Sequence, residues 1–422
     1  MPYMGNQPAT SFSSVSYQDL TGSNGTSFTL DYPVGNAQEI DVFVNNVRQE
    51  PGVAYTANGT ELITTGSISI SDDFYVVFSG KAQQSATHPA NQDLDANNGT
   101  FTGTVTANSF IGIPNPSFII NGAMQVWQRG LTQTSTGYGC VDRWRNTVSG
   151  TTTFSQDTVS LPTGFEYALR WTTGASSSYG QSRQLFETST VKILRDRTLT
   201  ASAYVKVSGT YSGVVTWEIA YSTTSDIDSG NTWVQLTETN VVTASASDAS
   251  SNYKRISCNV TIPSNAIGAY IGIVPSVAQA SGEWVSVTGV KLEVGETVTD
   301  FIHEDIGTTL IKCQRYCRVY YGDNNYSQMG GTGFAANTTT VNIPVLLNPQ
   351  MRAVPSLTAS GNSQLSDGAA GTVIGGISVI TQQSSKDVLS VAPTATGLTQ
   401  HRPYRLESAN NTTARITISA EL

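Results

Sequence analysis

Short alternating stretches of apolar and polar residues, cut by glycine, asparagine and proline, run through most of this chain. In the clearest, Ala201, Ala203, Val205 and Val207 alternate with Ser202, Tyr204 and Lys206, the period of a half-buried strand. The same reading predicts strands at 167–172, 214–221, 254–262, 269–274 and 284–293, whose number and spacing fit a two-sheet jelly roll over residues 113–303. A helical stripe occurs in one place, where Ile306, Leu310, Ile311, Cys313 and Tyr316 or Cys317 share a face behind Glu304 and Asp305. Further strands are expected near 338–346, 373–380, 388–391 and 414–420, with 330–333 and 361–376 as glycine-rich loops. Residues 304–422 thus read as a short helix followed by a distal β-sandwich. The fold class is all-β.

Composition narrows the function. The 422 residues suit roughly three domains. Only 13% are charged, against about 25% in ordinary globular chains, so Ser, Thr, Asn and Gln must supply the polar surface. A net charge of −9 argues against nucleic acid as a partner, because phosphate binding needs a basic surface. No apolar run reaches the length of about 18 residues that a membrane span needs, so no membrane insertion is expected. The first residues lack the basic and apolar regions of a secretory signal. Cys140, Cys258, Cys313 and Cys317 are too few and too scattered for a disulfide scaffold and read as buried free thiols, which suits assembly in a reducing cytoplasm. His88, His303 and His401 show no metal spacing, and Asp226, Asp228 and Asn231 depart from a calcium loop, so neither metal nor cofactor is expected.

Taken in order, residues 1–80 read as a small β-sandwich. Ser27–Leu30, Ile40–Val44 and Phe74–Phe78 are strand-like, Asn45-Asn46 is a tight turn, and Asn58-Gly59 is a second hairpin signal. Residues 81–98 are polar and read as linker. From Gly99 to Phe110 one parity carries Phe101, Gly103, Val105 and Ala107. A lone strand cannot bury such a face, whereas three copies around a common axis can. Phe101, Val105, Phe110 and the later Trp127 are therefore the expected trimer contacts.

The stretch 115–144, NPSFIINGAMQVWQRGLTQTSTGYGCVDRW, holds two of the six tryptophans. Asn121-Gly122 reads as a turn. The alternation of Met124, Val126 and Gln128 with Gln125, Trp127 and Arg129 reads as a strand buried on both sides. This stretch resembles the opening of a domain of bacteriophage tail fibres, which begins ING-x-x-QVWQRG, continues with a DRW triplet and carries CQRYY near its end. Here Cys313-Gln314-Arg315-Tyr316 is followed by Cys317 in place of the second aromatic. The resemblance spans about residues 113–321. The N-terminal pattern, from FTL to DDFYVVF, resembles the attachment modules of short-tailed phage fibres, and GTFTGTVTANSF the β-spacers of trimeric ones. The resemblance implies an elongated homotrimer of β-sandwich and jelly-roll domains joined by an intertwined β-spacer, sited in the virion. It also implies a tail protein (adaptor or nozzle) as partner at the N-terminus, and a bacterial surface glycan or lipopolysaccharide as ligand at the C-terminus.

An enzyme is not expected. No nucleophile elbow, phosphate loop or zinc motif occurs, and no repeat of β-helix period. Asp142, in the DRW triplet and flanked by Arg143 and Arg145, is the best single carboxylate and reads as a structural ion pair. The alternative is a tailspike-type depolymerase or the carbohydrate-binding module of a glycan-active enzyme. Sugars pack their C–H faces on aromatic rings. Trp233, in a polar loop-like run, and Tyr320, Tyr321 and Tyr326, in YYGDNNY, are the expected receptor or glycan contacts, with no catalytic residue among them.

Overall fold

The computed structural model describes residues 16–79, 115–175 and 178–422. The chain divides into two compact units, residues 1–104 and 105–422. Every strand ladder among the described residues is antiparallel save for isolated bridges. The expected spacer contacts Phe101, Val105 and Phe110 lie outside the described residues.

In the first unit, Ser16–Asp19, Phe74–Phe78, Ile40–Val44 and Val47–Arg48 form one sheet in that order, and Gly25–Val34 pairs with Tyr55–Ile68 in a second. Val42, Val76, Phe74, Leu30, Leu62 and Tyr55 are buried together between them. Asn45 and Asn46 both take the left-handed conformation that a two-residue hairpin requires (φ 51° and 63°). Asn58-Gly59 is no hairpin. It lies inside the continuous strand Tyr55–Ile68, beside a register shift, with Gly59 opposite Val34. Gly59 is left-handed (φ 59°), which makes the position an irregularity within the strand rather than a turn.

The second unit contains a sandwich and a distal pair of sheets. One sandwich sheet runs Thr239–Val242, Lys254–Thr261, Thr198–Val207, Trp284–Val294, Ala168–Thr173, Thr152–Asp157 and Thr132–Gln133. The other is built on Val214–Ser222, Gly268–Pro275, Tyr179–Phe186 and Arg145–Ser149, with short edge strands. Their facing side chains, among them Leu169, Trp171, Ala203, Val205, Ile219, Ile271 and Val287, make one core. Along Trp284–Val294 the buried apolar parity switches from Val285 and Val287 to Val290 and Leu292, so Val290 and Leu292 are core and Lys291 is not. The switch occurs at Gly289, whose φ of +60° marks the irregularity opposite Ser202–Tyr204.

Three further readings from sequence need correction, all in the second unit. Residues 118–129 form no strand. Asn121 and Met124 are left-handed (φ 58° and 55°), which breaks any extended run, and the segment is an irregular buried loop. A second helix, Thr188–Leu194, stands beside the expected one, which is Ile306–Gln314. Its threonines and valine gave no helical signal, and buried Val191 and Leu194 hold it by packing. The glycines at 330–333 are not a loop but part of the strand Gln328–Ala335, and 361–376 is not one loop either, since it holds the paired strands Ser363–Ser366 and Gly371–Val373. A Cβ on Gly331 would stand 2.4 Å from the Pro344 carbonyl oxygen, and one on Gly333 1.8 Å from that of Asn342. Only glycine allows the neighbouring strand so close.

The distal sheets are Cys317–Tyr321, Arg415–Ser419 and Ser356–Ser360, and a seven-stranded sheet centred on Pro403–Ser408, Gln328–Ala335 and Val341–Leu346. Met329, Ile343, Leu365, Leu389, Leu406, Ile416 and Ile418 fill the space between them.

Candidate functional site

The short sequence motifs converge in space. Asn121 is buried, and its carboxamide does four things at once. Its Oδ1 accepts from the Gln125 and Val126 amides (2.8 and 3.0 Å), and its Nδ2 donates to the Val126 and Asp142 carbonyls (3.0 and 3.1 Å). Asparagine suits this position because it tolerates the left-handed backbone and closes the turn with its own side chain. Gly122 follows because a Cβ there would lie 2.1 Å from the Val290 carbonyl oxygen. Trp144 Nε1 donates to the Asn121 carbonyl at 3.2 Å. The ING and DRW motifs are thus two halves of one loop pair.

Beyond them lies a buried ion network. Arg129 pairs with Glu421 at 3.0 Å and lies 3.6 Å from Asp142. Arg143, 1% exposed, pairs with Glu421, donates to the Leu185 carbonyl at 2.9 Å and stacks over the Tyr316 ring at 3.5 Å. Tyr316 donates to Glu187 at 2.5 Å, and Arg315 grips the same carboxylate with two bonds of 2.9 Å. Gln128 donates to Asp142 and, at 3.0 Å, to the Cys317 carbonyl, while Tyr321 donates to the Gln128 carbonyl. All three motifs therefore meet where the sandwich joins the distal sheets. Asp142 is fully buried, and burial lifts its pKa to about 7 against the opposing pull of Arg129 and Gln128. Its principal partners are Arg129 and Gln128 rather than the flanking Arg143 and Arg145, and a carboxylate sealed in this way cannot reach a substrate. Cys313 and Cys317 are buried free thiols at the same junction, as are Cys140 and Cys258 elsewhere.

The expected binding residues have different fates. Tyr321 belongs to the junction rather than to a receptor surface. Trp233, expected to be exposed, is half-buried with its ring edge-on to Tyr270 at 5.0 Å. No sequence signal ties it to a residue on a distant strand. Trp127, expected in a trimer contact, is half-buried against the sandwich core, with Nε1 donating to the Met124 carbonyl at 2.6 Å. Tyr326 is 58% exposed. Asp228 is paired with Arg145 and Arg183, and Asp226 accepts from Thr188, so their carboxylates serve protein donors. No group of three or more metal-ligating side chains occurs among the described residues.

Tyr320 lines an open groove of about 490 Å³. Its walls come from Gln328, Gly330 and Gly331 on one strand and Pro344, Val345 and Leu346 on the next. Tyr320 Oη lies 3.5 Å from the Leu346 carbonyl, and Leu346 itself is 74% exposed. Gln328 Nε2 is held by the Gly330 carbonyl at 2.8 Å, which leaves its oxygen as an acceptor. Sequence reasoning missed Gln328 and Leu346, since only strand pairing brings them beside Tyr320. A tighter cavity of about 180 Å³ lies between the 116–125 loop, Phe301, Ile302 and the helix Ile306–Gln314. There Glu304 is engaged by Lys312 and Thr309.

The described residues define an all-β protein with a small N-terminal unit and a second unit of two packed sheet pairs locked by buried ions. No protein-family model and no curated protein matches the chain. Among solved structures it is similar to the CBM22-1 xylan-binding domain from Paenibacillus barcinonensis Xyn10C, at 6% identity over 40% of this chain and 95% of that one, with a TM-score of 0.26. It is also similar to the enzymatically active domain of tailspike protein 4 of bacteriophage CBA120, at 12% identity over 42% and 21% of the chains and a TM-score of 0.28. A third is a putative sugar binding protein from Bacteroides thetaiotaomicron, at 10% identity over 42% and 100%, with a TM-score of 0.29. At these scores nothing about the ligand of this chain follows from the likeness.

Proposed function

We propose that this chain is a structural virion component, a trimeric phage tail fibre that attaches through its N-terminal unit and binds a bacterial surface glycan through its distal sheets. The observation that carries the binding half is the groove at Tyr320. An aromatic ring and an exposed leucine offer an apolar surface for sugar C–H groups, while a carboxamide oxygen and glycine main chain serve hydroxyls. An open groove suits a polymer passing through rather than a small molecule enclosed. Weak contacts in three copies per fibre add up by avidity. The fibre half is supported by the resemblance of the ING, DRW and CQRY motifs, which build a single junction. The enzyme alternative gains nothing from Asp142, whose carboxylate is sealed.

The test is Tyr320→Ala in the intact protein, measured by binding to host surface polysaccharide and by adsorption to cells. Binding should fall at least tenfold with the thermal transition and sedimentation unchanged. Unaltered binding by a folded variant refutes the site. A sedimentation mass near 44.8 kDa, rather than about three times that, refutes the trimer.

A further inference from the structure

The first unit carries an aromatic row on the face of its four-stranded sheet that points away from the core. On the core side are Val42, Phe74, Val76 and Phe78, all buried. Strand alternation places Tyr17, Asp19, Asp41, Phe43, Tyr75 and Val77 on the other side. Register brings these into two rows, Tyr17–Val77–Asp41 and Asp19–Tyr75–Phe43, and Arg48 lies opposite Phe43. The rings touch in series. Phe43 stacks on Tyr75 at 4.9 Å and 11°, and Tyr75 meets Tyr17 at 5.3 Å. Tyr17 remains 60% exposed at the end of the row.

The charge around this row is one-sided. Residues 16–79 contain eight Asp and Glu residues and a single basic residue, Arg48. Arg48 is already bound to Asp41, its Nε lying 2.8 Å from Oδ1. Asp19, at the other end, has only local bonds to Thr21. The acidic balance of the unit as a whole repels anionic glycans, phospholipid and nucleic acid and attracts cations, and on this face Asp19 is the carboxylate that no basic side chain pairs among the described residues. Arginine is the cation that matches both elements, since its guanidinium stacks flat on a ring and pairs sideways with a carboxylate. This chain uses that chemistry internally, where Arg143 lies over Tyr316 while pairing with Glu421.

We propose that the Tyr17–Tyr75–Phe43 face docks a basic protein surface, with an arginine of the partner stacked on the row and paired to Asp19. The inference rests on the reading of this unit as the attachment module and supplies the chemistry of its partner, an arginine-bearing tail protein.

The probes are octa-arginine, octa-lysine and a neutral oligosaccharide, each titrated against the full-length chain. Octa-arginine should bind severalfold more tightly than octa-lysine, and the oligosaccharide should not compete. Tyr17→Leu keeps apolar bulk but removes the ring face, and should weaken octa-arginine binding about tenfold, as should Asp19→Asn. Tyr32→Leu, an exposed tyrosine on the other sheet, should change nothing. Equal binding of the two peptides, or equal loss in the Tyr32 variant, overturns the proposal by showing mere attraction to negative charge. Displacement by the oligosaccharide overturns it in favour of a second sugar site. The attachment reading is decided separately, by whether full-length chain appears in purified particles. If wild-type and Tyr17→Leu chains enter equally, the surface fails and attachment stands. If neither enters, attachment fails, and the peptide titration still decides the surface.

Discussion

Asp142→Asn tests how the buried junction handles charge. In the folded chain burial pushes the Asp142 carboxyl from an ordinary 3.8 to about 7, although Arg129 lies 3.6 Å away and Gln128 donates to it. Its folded pKa thus stands above its unfolded one. The stability it contributes is fully present below about pH 4 and is lost as pH rises through about 7. A displacement of about three units corresponds to roughly 4 kcal/mol between those limits, at about 1.4 kcal/mol per unit. Asparagine cannot ionise. The variant should therefore gain on the wild type steadily from pH 4 to about pH 7 and hold that gain above it. The assay is the thermal midpoint of each protein at half-unit intervals across that range, with the difference between them isolating this group from other carboxylates. If the wild type instead gains on the variant as pH rises, Arg129 outweighs desolvation, and the reasoning fails.

Arg143→Met should destabilise the second unit by about 3–5 kcal/mol in denaturant unfolding, because it leaves Glu421 with Arg129 alone and the Leu185 carbonyl without its donor. Gly122→Ala should cost more than about 2 kcal/mol by forcing the 121–126 loop away from Val290, read as a lower melting midpoint. Trp171→Ala, in the centre of the sandwich core, should cost about 3–5 kcal/mol, read from urea unfolding. Phe101→Asp with Val105→Asp should convert the proposed trimer to monomer in sedimentation while leaving the far-ultraviolet spectrum of the sheets unchanged.

Much of the scaffold could be read locally. The alternation at 198–207 matches the strand Thr198–Val207, and the predictions at 214–221, 254–262 and 284–293 fall within a residue of the observed ends. Those strands have one clear apolar parity, and parity is a property of neighbouring residues. Strands such as Thr152–Asp157 and Tyr179–Phe186 escaped because their buried apolar residues, Phe154, Leu185 and Phe186, do not alternate with polar ones: the other buried positions hold Thr, Asp, Gly, Gln and Ser, so no apolar parity shows. The helix Ile306–Gln314 was legible, and Asp305 caps it by accepting from Gly307 and Thr308, but the face it buries was not: Thr309 and Cys313 are buried, Ile306 and Ile311 of the expected stripe stay exposed, and Tyr316 and Cys317 lie beyond its end. The helix Thr188–Leu194 was not, since only tertiary packing stabilises so short a turn of β-branched residues.

The sequence by itself determined the class of fold, the acidic balance and the short motifs whose residue types are unusual enough to notice. Only the tertiary structure decided what those motifs are for. Asn121, Asp142, Tyr316 and Glu421 are up to three hundred residues apart along the chain, yet they share one junction, because strand pairing returns the C-terminal residues to the start of the sandwich. The same holds for the groove. Tyr320 was visible in the sequence as an aromatic in a polar run. Whether it lines the groove, while its neighbour Tyr321 is tied to Gln128, depends on which side of one strand each occupies. Both are half-buried; alternation fixes that the two must differ, and only the packing of the sheets fixes which of them lines the groove.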